Sequence, residues 1–313
     1  SDILDSGQNK QEIRKMKRHI PIIIMAMGLF SLLLGTSACN VTVTHGAGTD
    51  GTQSVSLELS RDGATDTNPE VSDILLCIHD NSAKTSTMRR FTDAEGLARE
   101  HFLLNEGQYR FAGAVNMTKP YSVSDDAEPV ASLSDLTLNP HEAFAYMADV
   151  TVGSSGHQLV RAAIRPFLPE LTVELDEAEA VSAIQMEFLN MAAGVNLMNV
   201  NDEGHGVTVN GVAVGVRSPK FISTENGKVT TEAMRVMPTV MGESNSAIRM
   251  TVTMKDGKTM KCSVETPVMI QSGRYILKLK VSELREYMYV NPFRIDGWTE
   301  GWAFDGTILN PEG

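Results

Sequence analysis

IRMTVTMKDGKTMKCSV, residues 248–264, places an apolar row on each side of a turn. Ile248, Met250, Val252 and Met254 form the first row, and Met260, Cys262 and Val264 the second, with Lys255, Asp256, Gly257 and Lys258 between them. Such alternation marks strands with one buried face. A two-residue Asp-Gly turn would pair 254 with 259 and 252 with 261, putting the rows on opposite faces and leaving one in water. A three-residue loop over 255–257, with Gly257 left-handed, pairs 252 with 260, 250 with 262 and 248 with 264. Both rows then face one core, so the spacing predicts the longer loop with its bulge.

The same period recurs on either side of this hairpin. Val55 to Leu59 alternates, and Tyr109, Phe111, Gly113 and Val115 follow a turn at Glu106-Gly107. The continuous run Ile74-Leu75-Leu76-Cys77-Ile78 reads as a central strand buried on both faces, and Ala143 to Val152 as another apolar strand. Val181 to Leu197 carries the Ala, Glu, Met and Leu of a helix, yet Ile184, Met186 and Phe188 alternate; its strand neighbours favour a strand. Tyr275, Leu277, Leu279 and Val281 and then Val290 to Ile295 close the series, before Trp298 and Trp302. Short strands at roughly ten-residue spacing predict an all-β protein of antiparallel sandwiches. Gly153-Ser154-Ser155-Gly156 is the best linker, so two sandwiches in series are expected, 53–155 and 156–313.

Upstream, Met16 to Cys39 reads as an export signal. Lys17 and Arg18 precede fifteen largely apolar residues, Ile20 to Leu34, and the small residues Gly35 to Ala38 lead to Cys39. The order matches a lipobox, with Thr36 where a leucine is usual, and predicts lipidation of Cys39 after removal of 16–38. An ordinary signal cut near Ala38 is the competing reading. Residues 1–15 read as an upstream extension outside the fold, and 39–52 as a tether. Of 313 residues, 275 follow residue 38; taking five basic and three acidic residues from 27 and 39 leaves 22 and 36, a formal charge of −14. Such a surface repels phosphate backbones and argues against nucleic acid as a partner.

Chemistry is sparse. None of the seven histidines stands three to five residues from another, no Cys/His spacing suits zinc, and no nucleophile elbow or phosphate loop is present. No catalytic residue, metal or cofactor is expected. Cys77 and Cys262, each inside an apolar run, read as buried free thiols, with a bridge between them left open. Trp298 and Trp302, with Phe304 nearby, could stack on a sugar ring or pack at a domain edge.

Six stretches resemble the fimbrillin superfamily of Bacteroidales, in particular its FimB-type anchor and minor-subunit lipoproteins. They are Ile74 to Asp80; Leu103 to Phe111; Val160 to Arg165 with Leu171 to Leu175; and Ser272 to Leu279 with Ile295 to Trp298. The resemblance implies two tandem transthyretin-like β-sandwiches behind a lipoprotein signal, with palmitate-type acyl chains on Cys39 holding the protein at the outer membrane, on the cell surface. It implies a structural, non-enzymatic role in adhesive fimbriae, with other fimbrial subunits as partners and host or bacterial receptors or glycans as possible targets. In polymerising members an arginine-specific protease removes an N-terminal strand, and a neighbour's strand fills the groove. Arg61 follows Val55 to Leu59 and is the one arginine between Cys39 and Ile74, so it would be the cut site; in an anchor it would be an uncleaved strand end. The alternative reading, a glycan-binding surface lipoprotein of the starch-utilisation type, rests on the anchor, the sandwiches and the two tryptophans.

Overall fold

The structure, a computed structural model, describes residues 42–44, 52–61, 71–154, 156–200, 205–240, 242, 246–284, 288–298 and 301–309, with backbone alone for 42–44, 210, 246 and everything beyond 284. Among these residues twenty-one strands, one short α-helix and a 3-10 turn at Val281–Glu283 follow in order: β1 (Thr42–Thr44), β2 (Thr52–Arg61), β3 (Ser72–Asp80), β4 (Thr85–Asp93), α1 (Ala94–Arg99), β5 (Phe102–Asn105), β6 (Gly107–Val115), β7 (Tyr121–Val123), β8 (Val130–Leu133), β9 (Phe144–Val152) and β10 (His157–Pro166). Then come β11 (Glu170–Asp176), β12 (Val181–Val200), β13 (Gly206–Arg217), β14 (Phe221–Glu225), β15 (Lys228–Thr231), β16 (Met234–Arg235), β17 (Ser246–Met254), β18 (Thr259–Thr266), β19 (Arg274–Lys280), β20 (Met288–Trp298) and β21 (Gly301–Leu309).

These strands form two sheets. The first has the order β4-β3-β6-β9-β10-β2-β5, with β1 on β10. It turns a corner at β10, which meets β9 only at Arg165↔Ala145 and Pro166↔Phe144 and then runs parallel to β2 from His157↔Ser54 to Ile164↔Arg61. The corner makes two layers, β4-β3-β6-β9 against β10-β2-β5. Phe102 of β5 clamps them, edge-on to Phe111 of β6 at 6.1 Å and to Phe91 of β4 at 6.5 Å. The expected central strand is present: β3 lies between β4 and β6, and Ile74 to Ile78 are all buried.

The second sheet has the order β14-β15-β11-β19-β21-β20-β18-β17-β12-β8-β7, with β13 on β12 and β16 on β11. Its β17–β18 hairpin has the predicted register, Ile248↔Val264, Met250↔Cys262 and Val252↔Met260. Gly257 is left-handed at φ 85°, and Met254 exchanges backbone bonds with Lys258 and Gly257 around the three-residue loop. Residues 181–197 lie within the strand β12, whose alternating Ile184, Met186 and Phe188 are buried. The predicted reading as a strand holds because β17 and β13 line its two edges, and this tertiary pairing outweighs helix propensity.

Strand pairing crosses residue 155 in both directions. β10, beyond the expected linker, belongs to the first sheet, and β7 and β8, before it, reach the second through Val195↔Ala131. β9 ends at Val152 and β10, antiparallel to it, begins at His157, and after Pro166 the described strands all belong to the second sheet. One buried cluster joins the sheets, including Leu75 and Ala114 of the first with Leu171, Val252 and Leu277 of the second.

Gly113 of β6 leaves no room for a side chain. A Cβ there would stand 1.9 Å from the Leu75 backbone oxygen and 2.7 Å from the Tyr146 hydroxyl. The buried Tyr146 hydroxyl donates to that same oxygen at 2.9 Å, so the space is already taken by a hydrogen bond. Gly113→Ala is expected to destabilise by about 3 kcal/mol through overpacking, and Tyr146→Phe by about 1 kcal/mol. Urea unfolding of the two variants, with the larger loss at Gly113, checks this.

Candidate functional site

The N-terminal strand that the sequence singled out is β2. Val55 and Leu57 are fully buried, each contributing about 1.5–3 kcal/mol of apolar burial. Parallel pairing to β10 covers residues 54–61, whereas β5 covers the opposite edge only from Thr52 to Val55. Among the described residues the outer edge of 56–61 takes no strand. β2 is thus neither a simple edge strand nor one paired centrally along its whole length.

Polar groups fasten the strand at both ends. Ser54 Oγ lies 3.2 Å from His101 Nδ1 and 3.0 Å from His157 Nδ1, and Ser56 Oγ is 3.1 Å from His157 Nε2. The two imidazoles meet edge to face at 5.1 Å. A linear scan for paired histidines misses them because they lie far apart in the chain and meet only where β5 and β10 flank β2. At the other end Arg61 Nη2 donates to Glu142 Oε1 at 3.4 Å, and its guanidinium carbon sits 5.4 Å from the centre of the Phe144 ring. A half-exposed ion pair contributes little by itself, but Glu142 stands in a segment tied to the second sheet. Asn139 donates to Ala233 O and accepts from Arg235 N; Arg235 pairs with Glu170 at 2.7 Å.

The other residues named from sequence do not converge here. Cys39 lies outside the described residues. Trp298 pairs with Gly301 and Trp302 with Gly297 in the β20–β21 hairpin, a register in which the two positions alternate rather than share a face. That hairpin is seated in the second sheet, β20 parallel to β18 and β21 parallel to β19, with Trp302 opposite Tyr275. Cys77 and Cys262 are buried and free; burial raises both thiols, Cys262 to about 12, and makes poor nucleophiles of them. Among the described residues no three His, Cys, Asp or Glu side chains gather to hold a metal.

Similarity to solved structures follows from this geometry. The fimbrial anchor protein Mfa2 of Porphyromonas gingivalis superposes with a TM-score of 0.50 at 10% identity, over 81% of this chain and 95% of that one. The chain has the fold of that anchor protein. A Bacteroides ovatus protein described as a candidate adhesin gives 0.47 at 10% identity over 68% and 82%, and the tip fimbrial protein Mfa3 of Porphyromonas gingivalis gives 0.38 at 10% identity over 83% and 99%. No family model matches the sequence, and no curated protein does.

Among the ionisable groups that burial perturbs, one is a cation. Arg217, the last residue of β13, is 2% exposed. Its Nη2 reaches the Arg235 backbone oxygen at 3.4 Å, while Nε and Nη1 have no partner. Burial lowers its pKa to about 10 against the opposing pull of Asp135, so it stays charged at neutral pH. A buried charge with most of its donors idle costs stability that an apolar side chain of similar length recovers. Arg217→Met is expected to raise stability by about 1–3 kcal/mol, read as a higher thermal midpoint; a lower midpoint would mean that the guanidinium supports the fold.

Proposed function

We propose that this protein is a structural subunit of surface fimbriae that serves as their anchor or an accessory, with no chemical step. The observation that carries this reading is that both ends of the body are seated in its own sheets, β2 beside β10 and the β20–β21 hairpin between β18 and β19. A stalk subunit that polymerises by strand exchange must free one groove and lend one strand. In this chain the N-terminal strand is fastened through Ser54, Ser56 and Arg61, and the C-terminal strands fill a position in the chain's own second sheet. The fold shared with Mfa2, a fimbrial anchor, agrees with that role.

In this reading acyl chains on Cys39 hold the body at the outer membrane, and other fimbrial subunits are its partners. Arg61 stays uncut: its backbone is paired to Ile164 and its guanidinium is engaged by Glu142 and Phe144, so entry into a protease pocket requires the strand end to lift. The glycan-binding alternative loses support, because the register of Trp298 and Trp302 does not set the two positions on one face.

Two outcomes test this. Digestion of the native protein with an arginine-specific protease is expected to leave the Arg61–Asp62 bond intact by mass spectrometry, with cleavage on denaturation; release of residues up to Arg61 from folded protein favours a polymerising subunit. Deleting the gene is expected to shed fimbriae into the medium, and fimbriae that stay cell-bound under electron microscopy would contradict an anchor.

A further inference from the structure

Thiolate and thioether sulfurs are soft donors that select Cu(I) over harder cations. The first sheet sets several of them in one row. Cys77 of β3 faces Met88 of β4 on one side and Ala112 of β6 on the other, and Ala112 faces Met147 of β9. Directly paired residues share a face of the sheet, so Met88, Cys77, Ala112 and Met147 line up across it. Met198 of β12 packs onto this row, and in the resulting cluster Ala112 alone lacks sulfur. Cys77 and Met198 are buried, whereas Met88 and Met147 are half-buried, so a deep thiol is reached past thioethers that touch solvent. Met198 is held over the row from both sides. Its N–H donates to Asn196 Oδ1 at 2.8 Å, and its carbonyl accepts from Arg110 Nη1 at 2.9 Å. Two bonds to Asp149, at 2.7 and 2.8 Å, fix Arg110 in turn. The adjoining row is engaged in contacts of its own, Arg110 with Asp149 and His79 Nδ1 with Ser86 Oγ at 2.9 Å.

We propose that Cys77, Met88, Met147 and Met198 form a binding site for Cu(I), with the Cys77 sulfur bound as thiolate and the methionine thioethers completing the shell. Charge and softness select this ion. A thiolate and a monovalent cation cancel, so no net charge enters the apolar cluster, whereas Zn(II) or Cu(II) would bring a surplus charge and find no second anionic ligand among these side chains. Burial keeps the Cys77 thiol protonated before the ion arrives. Binding therefore breaks the S–H bond, forms an S–Cu bond and releases the proton to solvent; copper stays in its +1 state and nothing is oxidised. The bonds that Asn196 and Arg110 make to the Met198 backbone orient that ligand in advance, as supporting groups around metal sites do.

Anaerobic competition for Cu(I) against the chromophoric chelator bicinchoninate tests this on the full chain in mild detergent, with Cys39→Ser throughout so that its thiol does not compete. The protein is expected to withdraw a single Cu(I) from the chelator, and excess Zn(II) is expected not to displace it. Cys77→Ser should lose the ion. Met88→Leu and Met147→Leu, close in volume and at half-buried positions, should each weaken binding about tenfold, and so should Arg110→Met, which frees the Met198 carbonyl. Cys262→Ser, at the other buried thiol, which faces Met250, should bind as the parent does. Circular dichroism checks that each variant is folded; if Cys77→Ser is not, the double variant Met88→Leu/Met147→Leu decides. Failure of the parent to compete with bicinchoninate overturns the proposal. Cu(I) held undiminished by Cys77→Ser or by the double methionine variant, displaced by Zn(II), or lost from Cys262→Ser overturns it too.

Discussion

The parallel register of β2 on β10 is the constraint on which the N-terminal half depends. Eight residue pairs, Ser54↔His157 to Ile164↔Arg61, fix the second layer of the first sheet, and β5, with the Phe102 clamp, hangs on β2 in turn. Parallel neighbours cannot be joined by a tight turn, so the whole run from β3 to β9 is threaded between them. Removing β2 would strip β5 of its sheet partner and uncover Val160, Ala162 and Ile164, all buried on β10. The strand is therefore more than a cover over a finished body.

Much of the fold can be read locally because two-residue periodicity is a local property. The β17–β18 loop length follows from the demand that Met250, Val252, Cys262 and Val264 share a core, and β3 follows from five consecutive apolar residues. Long-range pairing leaves no such trace. Nothing in Val55 to Leu59 discloses a parallel partner a hundred residues on, nothing in the glycine and serine of 153–156 distinguishes a reversal within one sheet from a linker, and β7–β8 joins the second sheet through only a few residues of β12.

The site was legible in outline and hidden in its fastenings. Arg61 stands out as a lone arginine after a strand, but its hold on Glu142 and Phe144 exists only once β2 and β9 meet through β10. The His101–His157 contact is equally tertiary. The tryptophans lie close in sequence, and the hairpin register alternates their positions. What is distinctive among the described residues is how the strands are held in place.

We propose that this chain keeps its N-terminal strand while tethered at Cys39. The most direct test is intact-mass and peptide mass spectrometry of the protein extracted from the cell surface. The account predicts a diacylated N-terminal peptide beginning at Cys39 and a chain continuous through Arg61–Asp62. A mature N terminus at Asp62, without lipid, would contradict it.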